Sequence, residues 1–139
     1  MSFHFSRTSE ERLATCDERL RRIARHALTL GVIDFGILEG HRGQVAQDEA
    51  FRTGKSQKRW PNGNHNSIPS LAMDVRPVLP PGVDLWGAAA LPYWYMLAGV
   101  IMAAGAQLGM SLRWGGDFDS DRDLTEKGFK DLPHFEVRG

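Results

Sequence analysis

Residues 65–74 read His65-Asn66-Ser67-Ile68-Pro69-Ser70-Leu71-Ala72-Met73-Asp74. The segment opens as loop chemistry and ends as a short strand over Leu71–Val75. A His in a loop and an Asp on the strand that follows can converge on one metal ion. Residues 55–70 are rich in Lys, Asn, Gly, Ser and Pro, so the loop is long. Before it, Gln44–Thr53 suits a helix closed by Gly54, and Val32–Leu38 reads as a strand between Gly31 and Gly40. Further upstream, Asp17 is an N-cap for a helix carrying Leu20, Ile23, Ala24, Ala27 and Leu28 at helical spacing. Thr8-Ser9-Glu10-Glu11 has the form of a capping box with Thr8 at the N-cap, which starts a short first helix. Downstream, Pro77, Pro80, Pro81 and Gly82 make a turn region. A long apolar helix then runs from Leu91 to Leu108, with Pro92 tolerated in its first turn. Ser111–Trp114 and His134–Val137 are short strands separated by a polar loop, Gly115–Leu132. The pattern predicts an α+β fold: a small, mostly antiparallel sheet with helices packed on one face.

The chain has 139 residues, which predicts one domain over 1–139. Lys plus Arg and Asp plus Glu both number 17, so the formal net charge is zero. That argues against a broad basic face and hence against a nucleic-acid partner. Cys16 is the single cysteine, which excludes an intrachain disulfide and a four-cysteine zinc site. Met1–Glu10 holds no apolar core of signal-peptide length. Leu85–Leu112 carries no charge, but Pro92, Gly99, Gly105 and Gln107 interrupt it. We read it as a buried helix rather than a membrane span.

The second chemical segment is Asp131-Leu132-Pro133-His134-Phe135-Glu136. His134 supplies a third ligand beside His65 and Asp74. Two imidazoles and one carboxylate leave the fourth position of a zinc tetrahedron open, as a catalytic site requires. Zinc lowers the pKa of a water there toward about 7. Asp131, three residues before His134, could take its proton without binding the metal. Glu136 shares a strand face with His134 and could accept the imidazole's second N–H, or serve as the base in place of Asp131. The spacing matches no common short zinc motif, and a lone loop His or strand-end Asp is often only solvated.

Taken together, Gly63-Asn64-His65, Ala72-Met73-Asp74 and Asp131-Leu132-Pro133-His134 resemble a known family. It is that of the zinc D-alanyl-D-alanine carboxypeptidases and L-alanyl-D-glutamate endopeptidases, which show Ser-x-His, Ala-x-Asp and Asp or Glu-x-x-His. Pro69-Ser70-Leu71-Ala72-Met73-Asp74 and Trp114-Gly115-Gly116-Asp117 look most like its phage endolysin branch. The resemblance spans Leu13 to Val137. It implies a hedgehog-like peptidase fold, zinc on His65, Asp74 and His134, and Asp131 as the base. It also places an Arg and a Gln five residues apart after the first strand. Arg42 and Gln47 match, so Arg42 is expected to face the scissile carbonyl or a substrate carboxylate, with Gln47 on the substrate. Asp117 either lines the cleft or caps its turn. Two departures stand out. Gly63 replaces the usual Ser, a hydroxyl that Asn64, Asn66 or Ser67 would have to replace. The His65–Asp74 loop is also longer than in the commonest form.

The resemblance therefore implies zinc-dependent hydrolysis of the L-Ala–D-Glu amide in the peptidoglycan stem peptide, leading to lysis. The same-class alternative is a D-Ala-D-Ala carboxypeptidase. The alternative of another class is a zinc-binding module without catalysis, against which the intact Asp131 speaks. We expect a monomer with no separate cell-wall-binding domain. It would be made in the host cytoplasm and reach the wall after membrane permeabilisation. Trp60 and Trp114 could stack on substrate, while Tyr93, Trp94 and Tyr95 are read as core and rim.

Overall fold

The computed structural model describes residues 2–125 and 129–138. Residues 126–128 of the Gly115–Leu132 loop lie outside the described residues. The elements are α1 (Arg7–Leu13), α2 (Glu18–Thr29), β1 (Phe35–Glu39), α3 (Gln44–Arg52), β2 (Ala72–Pro77), α4 (Leu91–Gln107), β3 (Arg113–Trp114) and β4 (His134–Glu136). A short 3₁₀ turn at Asn64–Asn66 interrupts the long loop before β2.

Local sequence explains most boundaries. The Asp17 carboxylate accepts from Arg19 N and caps α2 as expected. Gly31, at φ 69°, turns the chain away after that helix. α1 corrects the capping-box reading: Ser6, not Thr8, is its N-cap, accepting from Ser9 N at 3.1 Å. The Ser9 hydroxyl is occupied elsewhere, accepting from Ile37 N at 3.0 Å and tying α1 to β1. β1 begins at Phe35 rather than Val32, because Val32 is exposed and the first sheet partner is Phe35↔Pro77.

The sheet order is β1-β2-β4-β3, and every strand pair is antiparallel. Alternation sorts the side chains by face. Phe35, Ile37, Met73, Val75, Trp114 and Phe135 join the hydrophobic core. Onto them pack Leu13 of α1, Leu20, Ile23 and Ala27 of α2, and Leu97, Ile101 and Ala104 of α4. α1, α2 and α4 thus cover one face, as the sequence pattern predicts. α4 with its lead-in turn, Ala88–Gln107, is long and apolar enough to cross a membrane by length and composition. Its Trp94, Leu97, Ala98, Ile101 and Ala104 side is nevertheless buried in the protein. Cys16 is a buried core residue whose thiol burial pushes up to about 11, which leaves it an unreactive apolar group.

The opposite face carries Asp74, His134 and Glu136. Register brings them together: Asp74 pairs with His134, and Ala72 and Arg113 both pair with Glu136. Directly opposed residues on neighbouring strands place their side chains within reach of one another.

Candidate active site

His65, Asp74 and His134 meet in a buried cluster whose ligand atoms lie within 4.8 Å of one another. Asp74 Oδ1 is 3.0 Å from His65 Nε2 and 3.3 Å from His134 Nδ1. The edge of a tetrahedron built on zinc bonds of roughly 2.0–2.1 Å is about 3.3 Å. The two separations from Asp74 lie close to that edge, and all three donors fall within 4.8 Å of one another.

Proton positions support the same fit. His65 Nδ1 is 2.7 Å from Gly40 O, and a carbonyl only accepts. His134 Nε2 is 2.7 Å from Glu136 Oε1, again an acceptor. In each ring the proton of the neutral imidazole is thereby fixed on the far nitrogen. The nitrogen facing Asp74 is left with a lone pair turned toward a carboxylate. A cation held by all three groups would satisfy that apposition. The donor set, two imidazoles and one carboxylate, suits zinc.

The ionisation pattern follows from burial and these contacts. Burial opposes an ionised Asp74, but hydrogen bonds and charge from His134 and His65 hold its carboxyl far below the ordinary carboxylate range. Burial also opposes a charged His134. Hydrogen bonds to Asp74 and Glu136 outweigh it and push the imidazole up to about 9. Burial of Glu136 is likewise outweighed, chiefly by His134, so its carboxyl stays below the usual range.

Asp131 stands at the rim of the cluster, 3.9 Å from His134 Nδ1. Burial first, then the Asp74 charge, push its carboxyl up to about 6, against the pull of His134, His65 and Lys55. In the metal-free protein Asp131 thus keeps its proton to a higher pH than an exposed aspartate does.

Arg42 and Gln47 lie beside the cluster in one buried network. Arg42 Nε donates to Glu39 Oε1 at 3.0 Å, Nη1 donates to Gln47 Oε1 at 3.0 Å, and Nη2 is 3.7 Å from Asp74 Oδ2. Gln47 Nε2 donates to Lys58 O at 2.7 Å and Ser56 Oγ at 3.1 Å. Asn66 closes the network: its Nδ2 donates to Arg42 O and Gln47 Oε1, and its Oδ1 accepts from Gly63 N at 2.9 Å. A Cβ on Gly63 would come within 2.8 Å of that Asn66 oxygen. Asn66 thus fills the place next to Gly63, among the residues the sequence offers there.

All of this opens into a cleft of about 440 Å³, lined by His65, His134, Asp131, Glu136, Arg42 and Gln47 among others. The family model for the phage L-alanyl-D-glutamate peptidases matches residues 1–138. The chain belongs to this family. It is 31% identical to the L-alanyl-D-glutamate peptidase of Escherichia phage T5, over 99% of either chain. Its fold is similar to the crystal structure of the Serratia marcescens L-Ala D-Glu endopeptidase ChiX. That match has a TM-score of 0.74 and 30% identity, covering 98% of this chain and 90% of the other.

Within this family member, Asp117 stands apart from the residues that line the cleft; its neighbour Phe118 lines it instead. Asp117 Oδ2 accepts from Arg122 N at 3.1 Å, and its carboxylate gathers with those of Asp119 and Asp121 in the following turn. Arg113 and Phe118 are cleft residues that sequence reading passed over. Arg113 Nη1 reaches Glu136 Oε2 at 3.4 Å, Nε donates to Phe118 O at 2.7 Å, and its guanidinium lies over the Phe118 ring. Alternation along Ser111–Trp114 held the one available signal: if Trp114 faces the core, Arg113 faces the site.

Proposed function

We propose that this chain hydrolyses the L-Ala–D-Glu amide of the peptidoglycan stem peptide with zinc held by His65, Asp74 and His134. Zinc, when bound, supplies a Lewis acid that polarises the carbonyl and eases ionisation of water. The observation that carries the reading is Asp131: a half-buried carboxyl 3.9 Å from His134 Nδ1, beside the cluster and inside the cleft. A site that only held an ion for stability would need no such group. Asp131 takes a proton from the attacking water and returns it to the leaving amine. Glu136 and Gly40 O fix the ring nitrogens that face the metal position. Arg42 is held by Glu39 and Gln47, which fixes its charge next to Asp74 and at the cleft wall. There it favours the oxyanion that develops on the scissile carbonyl. Family membership and the named activities of the phage T5 and Serratia relatives support the choice of bond. The phage relative supports action on the peptidoglycan of a bacterial host.

The test is mass spectrometry of purified peptidoglycan after incubation with the protein. New stem peptides beginning at D-Glu, lost on chelation and restored by zinc, are the expected result. Free D-Ala in their place would replace the endopeptidase by a carboxypeptidase. No product with zinc present would leave the protein a binding module.

A further inference from the structure

A second cavity, of about 530 Å³, adjoins the cleft and shares Phe129 and Asp131 with it. Its far wall is Trp86, 68% exposed and the most exposed aromatic side chain among the described residues. An indole so open to water is costly to leave bare, yet this one is held firmly. It stacks on buried Trp94 at 5.4 Å between ring centroids and 25° between planes. Trp94 Nε1 in turn donates to Leu85 O at 3.0 Å, and Trp86 N donates to Asp84 Oδ1 at 3.2 Å. One face of Trp86 is covered by Trp94, and both residues line the cavity. Lys55 and Lys130 supply donors at the same cavity.

We propose that this cavity is a subsite for the glycan strand, with an N-acetylated amino sugar stacked on Trp86. The proposal rests on the endopeptidase reading above and specifies its substrate. In that substrate a single alanyl residue and a lactyl ether separate the scissile amide from the sugar ring. The second cavity adjoins the cleft at Phe129 and Asp131, and the ring is assigned there. The other side of the scissile bond carries the free carboxylates of the stem. Those suit the main cleft, where Arg113 and Lys58 sit. The second cavity, walled by Trp86, Leu91, Leu132 and Pro133, suits an uncharged ring whose C–H face packs on indole and whose hydroxyls and acetamide meet lysine. Binding energy gathered there, away from the reacting bond, would hold the amide in place for Asp131.

Two measurements test it. The first compares kcat/KM on a disaccharide-linked stem peptide with that on the same peptide stripped of sugar. Wild type should prefer the sugar-bearing form. Trp86→Ala should shrink that preference roughly tenfold, the worth of one well-packed aromatic contact, mainly through KM, with Trp86→Phe recovering part of it. An unchanged preference, whether both rates hold or both fall, overturns the subsite. The second follows the Trp86 indole N–H by NMR while a peptide-free disaccharide of N-acetylglucosamine and N-acetylmuramic acid is added. A saturable shift is expected, and a still signal overturns the proposal. This binding arm needs no turnover. If wild type cleaves neither peptide, the endopeptidase reading fails, while the indole signal still decides whether the cavity binds the sugar.

Discussion

His134 sets Nε2 against Glu136 Oε1 at 2.7 Å, two residues further along the same strand. Strand alternation gives both side chains one face, so the imidazole has its own orienting carboxylate. His65 is oriented instead by a neutral acceptor, Gly40 O. The two imidazoles are thus unequal, and His134 is the one made more basic by a neighbouring negative charge.

Removing that carboxylate should therefore weaken the metal site without dismantling it. Glu136→Ala is expected to lower zinc affinity by roughly 10–100-fold, and Glu136→Gln by less, since an amide oxygen still accepts from Nε2. Competition against a chromophoric chelator measures both. Wild-type affinity in Glu136→Ala would show that His134 is oriented by packing alone.

On the proposed mechanism, Asp131 should separate catalysis from metal binding. Asp131→Asn is expected to keep zinc and to lose about 10²–10⁴-fold in kcat, the range for a positioned proton carrier. Retained turnover on peptidoglycan fragments would remove Asp131 from the reaction and return the base role to Glu136.

Stability should move the other way. The folded pKa of Asp131, about 6, lies above its ordinary 3.8. Its favourable contribution is complete below 3.8 and is lost as pH rises through 6. In chelated protein at pH 8 the ionised side chain is then a burden of order 1–3 kcal/mol. Asp131→Asn should melt higher than wild type there, by a margin that narrows at pH 5. An equal margin at both pH values would contradict the cost of ionising this carboxyl.

How far the site could be read without coordinates depends on what fixes each residue. His65, Asp74, His134 and Asp131 were legible because metal chemistry dictates their types and because their spacings resemble a family. The α+β pattern was legible because Leu20, Ile23, Ala24 and Ala27 repeat at helical spacing and Met73 and Val75 alternate with Asp74. Tertiary partners were not. The cap of α1 is Ser6 rather than Thr8, and the Ser9 hydroxyl serves Ile37 N across 28 positions of chain. Arg42 was legible as a site residue, but not that Glu39 and Gln47 hold its guanidinium. Trp86 drew no notice, since nothing local to it says that Trp94 lies beneath its ring.

The basic shift of His134 gives a pH signature to the metal-free protein. Its folded pKa, about 9, lies above the ordinary 6.5. The stability it supplies is fully present below 6.5 and is lost as pH rises through 9. Zinc needs the same nitrogen unprotonated, so zinc affinity rises over that interval. The melting temperature of chelated protein should fall from pH 6.5 to 9, and its gap to the zinc-loaded protein should widen. A gap independent of pH would mean that His134 is not protonated in the metal-free fold.

Gly63 and Asn66 should behave as one unit. Asn66 Oδ1 accepts from Gly63 N, and its Nδ2 holds Arg42 O and Gln47 Oε1. A Cβ on Gly63 would meet Asn66 Oδ1 at 2.8 Å and Gln47 Oε1 at 3.2 Å. The backbone there is ordinary, so crowding of the amide, not strain, is what a side chain would bring. Gly63→Ser alone should cost about 1–3 kcal/mol, and Asn66→Ala a similar amount through unpaired buried groups. With Asn66 already truncated, the serine at position 63 has room, and its hydroxyl can take over the orphaned partners. The double variant should therefore lose clearly less than the sum of the singles in denaturant unfolding. Strict additivity would show that Asn66 does not occupy the place of the missing hydroxyl.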